Sequence, residues 1–136
     1  MIRVFLALMA VLPLWLIHCL GSLLGFLVYL LSPSYSKKLQ SHLSGSGLAD
    51  SPQLLKQLIR RNIRETGKGA LELLVAWGRN PEQVARLIRD CRGWGHVEAA
   101  LSQQRGILFV TPHLGAYDIA GRYLSSRLPF PLTAMY

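Results

Sequence analysis

The sequence predicts an α/β chain: a transmembrane helix at the N-terminus, a helical segment, and then the first βαβ unit of an incomplete parallel sheet. Three observations predict this fold: a charge-free apolar run over residues 4–31, apolar residues at helical spacing over residues 52–104, and two β-prone runs flanking a helical stretch over residues 107–136. A length of 136 residues excludes a large multidomain enzyme. With 51% hydrophobic and 16% charged residues, the chain is too apolar to be disordered and poor in charge for an ordinary soluble protein.

The apolar run is 28 residues long, and no Asp, Glu, Lys or Arg occurs between Arg3 and Lys37. A helix of roughly 20 apolar residues spans the hydrocarbon of a bilayer, so we predict a membrane anchor over residues 1–33. A cleaved signal peptide is disfavoured because its apolar region is usually ~7–15 residues long. The two cysteines do not form a disulfide framework, so nothing indicates an oxidising compartment.

The sequence leaves the geometry of this anchor open. It can cross the bilayer once or lie as an interfacial hairpin that pivots near Gly21 and Gly25. His18 is interpreted as a tolerated polar residue that faces protein or headgroups. Positive charge is concentrated after the run, so the positive-inside tendency predicts that residues 37–136 face the cytoplasm.

Helix signals follow the anchor. Ser51 and Pro52 predict the start of a long helix that Gly67 and Gly69 can bend or split. One face of this helix is basic and suits anionic headgroups, with an ordinary solvated face as an equal alternative. A second helix is predicted after Asn80, and a third over residues 96–104. The basic face of the long helix that starts at Pro52 comprises Lys56, Arg60, Arg61, Arg64 and Lys68.

The last third of the chain predicts the βαβ unit. Residues 107–111 are an unbroken β-prone run, typical of a strand buried on both faces of a parallel sheet. A helix is predicted over residues 118–127 and a second strand over residues 132–136. Two parallel strands rarely stand alone, so we interpret the chain as the front portion of a longer fold.

One compact segment carries a chemical signal, His113-Leu114-Gly115-Ala116-Tyr117-Asp118. It follows the predicted strand and enters the predicted helix, where open α/β sheets place their ligand crevices. At this spacing the imidazole of His113 can bind the carboxylate of Asp118 with one ring nitrogen and face substrate with the other, which suits a general base. The alternative is a strand-end histidine next to a helix-capping aspartate with no catalytic role.

This segment resembles the HxxxxD motif of the glycerolipid acyltransferase superfamily. The order of anchor, helices and the stretch over residues 106–136 is similar to that of the bacterial lipid A biosynthesis acyltransferases, the lauroyl or myristoyl transferase group. The resemblance implies that residues 34–136 are the N-terminal part of an acyltransferase domain with a glycerolipid-acyltransferase-like sheet. It further implies that His113 is the general base and that Asp118 orients it. Many members have Trp-Glu where this chain has Tyr117 and Asp118.

The resemblance also implies the substrates and the place of reaction. A fatty acyl chain would move from acyl-acyl carrier protein to a hydroxyl of a Kdo-bearing lipid A precursor at the bacterial inner membrane. Later family motifs that bind phosphates and the acyl donor have no counterpart, so this chain by itself is expected to be inactive. A non-catalytic membrane-associated fragment and a phospholipid-type acyltransferase are the alternatives. Neither a cofactor, nor a metal, nor nucleic acid is expected as a ligand.

Overall fold

The computed structural model describes residues 11–112 and 114–135; residues 1–10 of the predicted anchor, the predicted base His113 and the final Tyr136 lie outside that part. The described part is helical and forms two compact units, one ending at Gly78 and the other beginning at Arg79. Helices α1 to α3 belong to the first unit and α4 to α6 to the second. Their bounds are Leu14–Leu31 (α1), Pro33–Gly45 (α2), Pro52–Gly78 (α3), Pro81–Ala85 (α4), Trp94–Ser102 (α5) and Tyr117–Arg127 (α6).

The predicted α/β fold is wrong for the part of the chain that the structure describes. Residues 107–111 and 132–135 lie in neither a helix nor a strand. The side chains of Leu108 and Val110 are 79% and 87% exposed, so the first run is not buried on both faces. A strand needs a neighbour for its backbone N–H and C=O groups, and among the described residues no backbone hydrogen bond joins the two runs. The β-propensity of a run does not make a strand without that partner.

Helix α1 has the length and composition of a membrane-crossing segment, with 18 residues and a mean hydropathy of 2.1. The charge-free run is not one continuous helix, because helical geometry is interrupted at residues 12–13 and Pro13 stands as the N-cap of α1. At the other end Ser32 closes α1 and opens α2, where its hydroxyl accepts a hydrogen bond from the Tyr35 N–H at 3.4 Å. Gln40 on α2 donates to the Tyr29 hydroxyl at 2.7 Å, which folds α2 back towards the end of α1.

Helix α3 is a single helix of 27 residues. The predicted start is confirmed, because the Ser51 hydroxyl accepts a hydrogen bond from the Leu54 N–H at 3.2 Å. Neither Gly67 nor Gly69 breaks the helix. At a rise of 1.5 Å per residue α3 is roughly 40 Å long, about half as long again as α1.

Helices α1 and α3 pack antiparallel at very close range. Gly21 and Gly25 on α1 meet the backbone of α3 around Gly67, and a methyl carbon built on Gly21 would lie 2.6 Å from the Gly67 carbonyl oxygen. Small residues let two helix backbones approach in this way. Ile17 and Ile63 are 0% and 2% exposed in this unit, and each buried side chain of this size contributes roughly 1.5–3 kcal/mol.

Candidate active site

Helix α6 is positioned by a small apolar core in the second unit. Ile119 at its start and Leu128 just after its end are buried, and α6 packs against α4, where Val84 is fully buried. The start of α4 is fixed by a capping box in which Asn80 and Gln83 bond each other's backbone N–H groups at 2.8 and 3.2 Å. The predicted second helix start is therefore confirmed, although α4 ends after five residues.

The end of α6 is held by aromatic contacts. The Arg127 guanidinium lies 4.2 Å from the centre of the Trp94 ring and donates a hydrogen bond to the Tyr123 hydroxyl at 2.7 Å. That hydrogen bond is the main reason why the pKa of Arg127 is raised above its ordinary value. These contacts connect α5 to α6 within the second unit.

The segment that enters α6 is open to solvent. Gly115 has a φ of +64°, a backbone conformation that favours glycine, and the side chain of Leu114 is 76% exposed. The Leu114 N–H donates to the Pro112 carbonyl at 2.8 Å, which tightens the chain ahead of the helix. The predicted helix over residues 118–127 is confirmed, with its first residue at Tyr117.

Asp118 lies in the first turn of α6 and is half-buried. The N-cap residue Ala116 has no side chain that could accept hydrogen bonds from this turn. A carboxylate at this end of a helix is stabilised by the helix dipole. The structure thus places Asp118 in the first turn of α6, and its pairing with His113 stays a prediction.

Tyr117 responds to the charge of Asp118. The pKa of the Tyr117 phenol is raised above its ordinary value, first by the electrostatic effect of the Asp118 carboxylate and further by partial desolvation and a hydrogen bond between the two side chains. A carboxylate has two oxygens and can accept several hydrogen bonds. This contact was not predicted from the sequence, although the adjacency of Tyr117 and Asp118 is its visible signal.

A second polar contact that sequence patterns did not predict lies in the first unit. The His18 Nε2 and Glu72 Oε1 atoms are 2.6 Å apart and join the second turn of α1 to α3, with side chains 31% and 14% exposed. His18 faces protein, which is one of the environments expected for it. Its partner is 54 positions away in the sequence, so no local pattern indicates the pair.

By comparison with known protein families, the chain belongs to the acyltransferases of lipid metabolism. The family is that of the bacterial lipid A biosynthesis acyltransferases: its model matches residues 1–136, and the chain belongs to it. No curated protein and no solved structure matches this chain. Membership of this family confirms the resemblance to the lipid A biosynthesis acyltransferases, and it implies lipid-type acceptors.

Proposed function

We propose that the chain serves the transfer of a fatty acyl group from acyl-acyl carrier protein to a hydroxyl of a Kdo-bearing lipid A precursor. The reaction takes place at the bacterial inner membrane, with residues 37–136 on the cytoplasmic side. Residues 1–33 provide the anchor and residues 34–136 belong to the acyltransferase domain. The observation that carries this proposal is the position of Asp118, half-buried in the first turn of α6 and five residues after His113, in a chain that matches the family over its whole length.

The chemistry follows from these two side chains. A ring nitrogen of His113 accepts the proton of the acceptor hydroxyl while the oxygen attacks the thioester carbonyl. The tetrahedral intermediate then expels the carrier thiolate, the carbon–sulfur bond breaks, and the imidazolium returns the proton to the sulfur. The products are an ester and a free carrier thiol. Asp118 orients the imidazole and stabilises its protonated form.

The Asp118 carboxylate can interact with both Tyr117 and His113. The charge of the Asp118 carboxylate raises the pKa of the Tyr117 phenol, and a carboxylate has two oxygens that can accept hydrogen bonds from two partners. Asp118 has a shorter side chain than the glutamate found in many relatives. We propose that the phenol holds this shorter carboxylate in place, as a positioning residue.

The net charge of the part that follows the anchor supports acyl carrier protein as the acyl donor. All seven acidic and fourteen of the fifteen basic residues follow the anchor, so residues 37–136 carry a net charge of +7. Acyl carrier proteins are acidic, and opposite charge speeds their encounter with a basic surface. The same charge suits an anionic leaflet, where the lipid acceptor resides.

The test compares variants of the protein encoded by the full reading frame that contains this sequence. His113→Ala should lower transfer from labelled acyl-acyl carrier protein to the Kdo-bearing precursor by roughly 10²–10⁴-fold. His96→Ala, the same change at an exposed histidine of α5, is the matched control and should keep activity. Full activity of His113→Ala would refute the general-base role. Transfer to phospholipids in place of the precursor would support the phospholipid-type alternative.

A further inference from the structure

We propose that α1 does not cross the bilayer, and that α1 and α3 form one antiparallel pair seated in the anionic cytoplasmic leaflet. The apolar side of α1 enters the acyl chains, and the basic side chains of α2 and α3 lie at the headgroups. The proposal rests on the membrane association in the proposed function, and it is independent of the acyl transfer itself. It differs from both anchor geometries that the sequence leaves open, because α1 neither crosses the bilayer nor turns at Gly21 and Gly25.

The pair is held by backbone-to-backbone contact. A methyl carbon on Gly67 would collide with the Gly21 carbonyl oxygen and lie 2.9 Å from the Gly25 nitrogen. One on Gly25 would collide with the Ile63 carbonyl oxygen. The 2.6 Å contact between His18 and Glu72 closes the same interface one turn further along. These contacts run in opposite directions along the two helices, so the pair is antiparallel.

The interface with α3 lies at the middle of α1. Gly21 and Gly25 flank the midpoint of the helix, so an α1 that spans a bilayer places the interface at the centre of the hydrocarbon. The Cα of Lys68 would then lie at that depth, since a methyl carbon on Gly21 would be 2.8 Å from it. On insertion scales each central Lys, Arg or Asp disfavours a spanning position by on the order of a hundredfold.

Other charges would enter the hydrocarbon with Lys68. Glu65 accepts a hydrogen bond from Lys68 at 2.8 Å, which offsets part of the cost of that pair. Arg61 and Arg64 are exposed within two turns of Gly67 and would follow. An α1 that spans the bilayer therefore either loses its contact with α3 or brings the charged side chains of α3 into the hydrocarbon. A pair lying along the interface does neither.

The free side of α1 fits acyl chains. Only 11% of the span is buried within the protein, and Trp15, Leu23 and Leu30 are 66%, 57% and 61% exposed. An apolar surface of this extent is not stable in water and marks contact with a membrane or another apolar partner. Nearby basic residues select an anionic membrane as that partner. They are exposed on α2 and α3 and comprise Lys37, Lys38, Lys56, Arg60, Arg61 and Arg64.

The test maps both ends of the charge-free run in the full chain. With Cys19 and Cys91 replaced by serine, Ile2→Cys and Ser34→Cys are made singly and treated with a membrane-impermeant maleimide in spheroplasts and in inverted inner-membrane vesicles. The proposal predicts that both sites react in inverted vesicles only. Reaction of Ile2→Cys from the spheroplast side, with Ser34→Cys reacting in inverted vesicles, overturns it. A chain that does not sediment with membranes at all contradicts the membrane association in the proposed function.

Two glycine variants test whether the pairing sets this topology. Gly67→Leu separates the helices and frees α1 from its charged partner, so Ile2→Cys should become reactive from the spheroplast side. Gly69→Leu lies two residues away, where an added carbon meets nothing within 4 Å, and should leave the labelling unchanged. Unchanged labelling in membrane-bound Gly67→Leu overturns the role of the pairing.

Discussion

Two glycines of the same helix should respond in opposite ways to the same substitution. Gly→Ala in a helix interior contributes up to about 1 kcal/mol through helix propensity. At Gly69, where nothing lies within 4 Å of the added carbon, that gain is the whole expected effect. At Gly67 the added carbon collides with the carbonyl oxygen of Gly21, a backbone atom that cannot rotate away.

The magnitude follows from comparing the two variants. The propensity gain is common to both and cancels, so their difference in free energy of unfolding is the packing cost at Gly67. Overpacking usually costs about 1–3 kcal/mol, and a collision between two backbones belongs at the upper end. We expect Gly67→Ala to be less stable than Gly69→Ala by about 3 kcal/mol, roughly a hundredfold in the folding equilibrium.

The assay is titration with sodium dodecyl sulfate of the purified chain in mild-detergent micelles, followed by far-ultraviolet circular dichroism. Both variants are compared with the unmodified chain under identical conditions. Unfolding free energies that agree within about 0.5 kcal/mol would refute the close approach of α1 and α3, because a surface-like site gives differences of that size.

Three further predictions concern ionisable side chains. Glu72→Gln should lower the free energy of unfolding by roughly 1–3 kcal/mol in the same titration, because its half-buried partner His18 loses a charged acceptor. The control Glu65→Gln, at a side chain that is 57% exposed, should lower it by under about 1 kcal/mol. The pKa of Glu65 is lowered, mainly by the hydrogen bond from Lys68. The stabilisation from Glu65 is therefore present above its unfolded pKa and is lost as pH falls through its folded pKa. Lys68→Met should raise the Glu65 pKa in a carbon-13 NMR titration, and an unchanged pKa would contradict the Glu65–Lys68 pair. Asp118→Asn should lower the Tyr117 pKa towards its ordinary value in a spectrophotometric titration, with Tyr117→Phe identifying the signal and an unchanged pKa refuting the contact.

The sequence predicts the helices well where their signals are local. The start of α3 at Ser51 and Pro52 and the start of α4 at Asn80 are visible as capping residues followed by proline, and both are found in the structure. The helix after Gly115 is predicted to within one residue of its start. Each of these signals lies within a few residues of the element that it fixes.

Long-range features escape a single sequence. The runs at residues 107–111 and 132–136 have strand-forming composition, yet a ladder depends on neighbours that composition does not identify. The contacts of Gly21 with Gly67 and of His18 with Glu72 join residues about fifty positions apart. For the candidate site, the spacing of His113 and Asp118 and a family resemblance predict their roles, which stay predictions. The effect of the Asp118 charge on the Tyr117 pKa depends on the positions of the two side chains, which the sequence does not specify.

The glycine contact between α1 and α3 can form only some time after α1 has been translated. The last residue of α1 is Leu31, and the chain must grow by another 36 positions before Gly67 exists. At translation rates of about 5–20 residues per second this interval is roughly 2–7 s. During that time the ribosome has produced an apolar helix whose intended partner has not been made. We therefore expect the nascent chain to need a membrane or a targeting factor before α3 is complete.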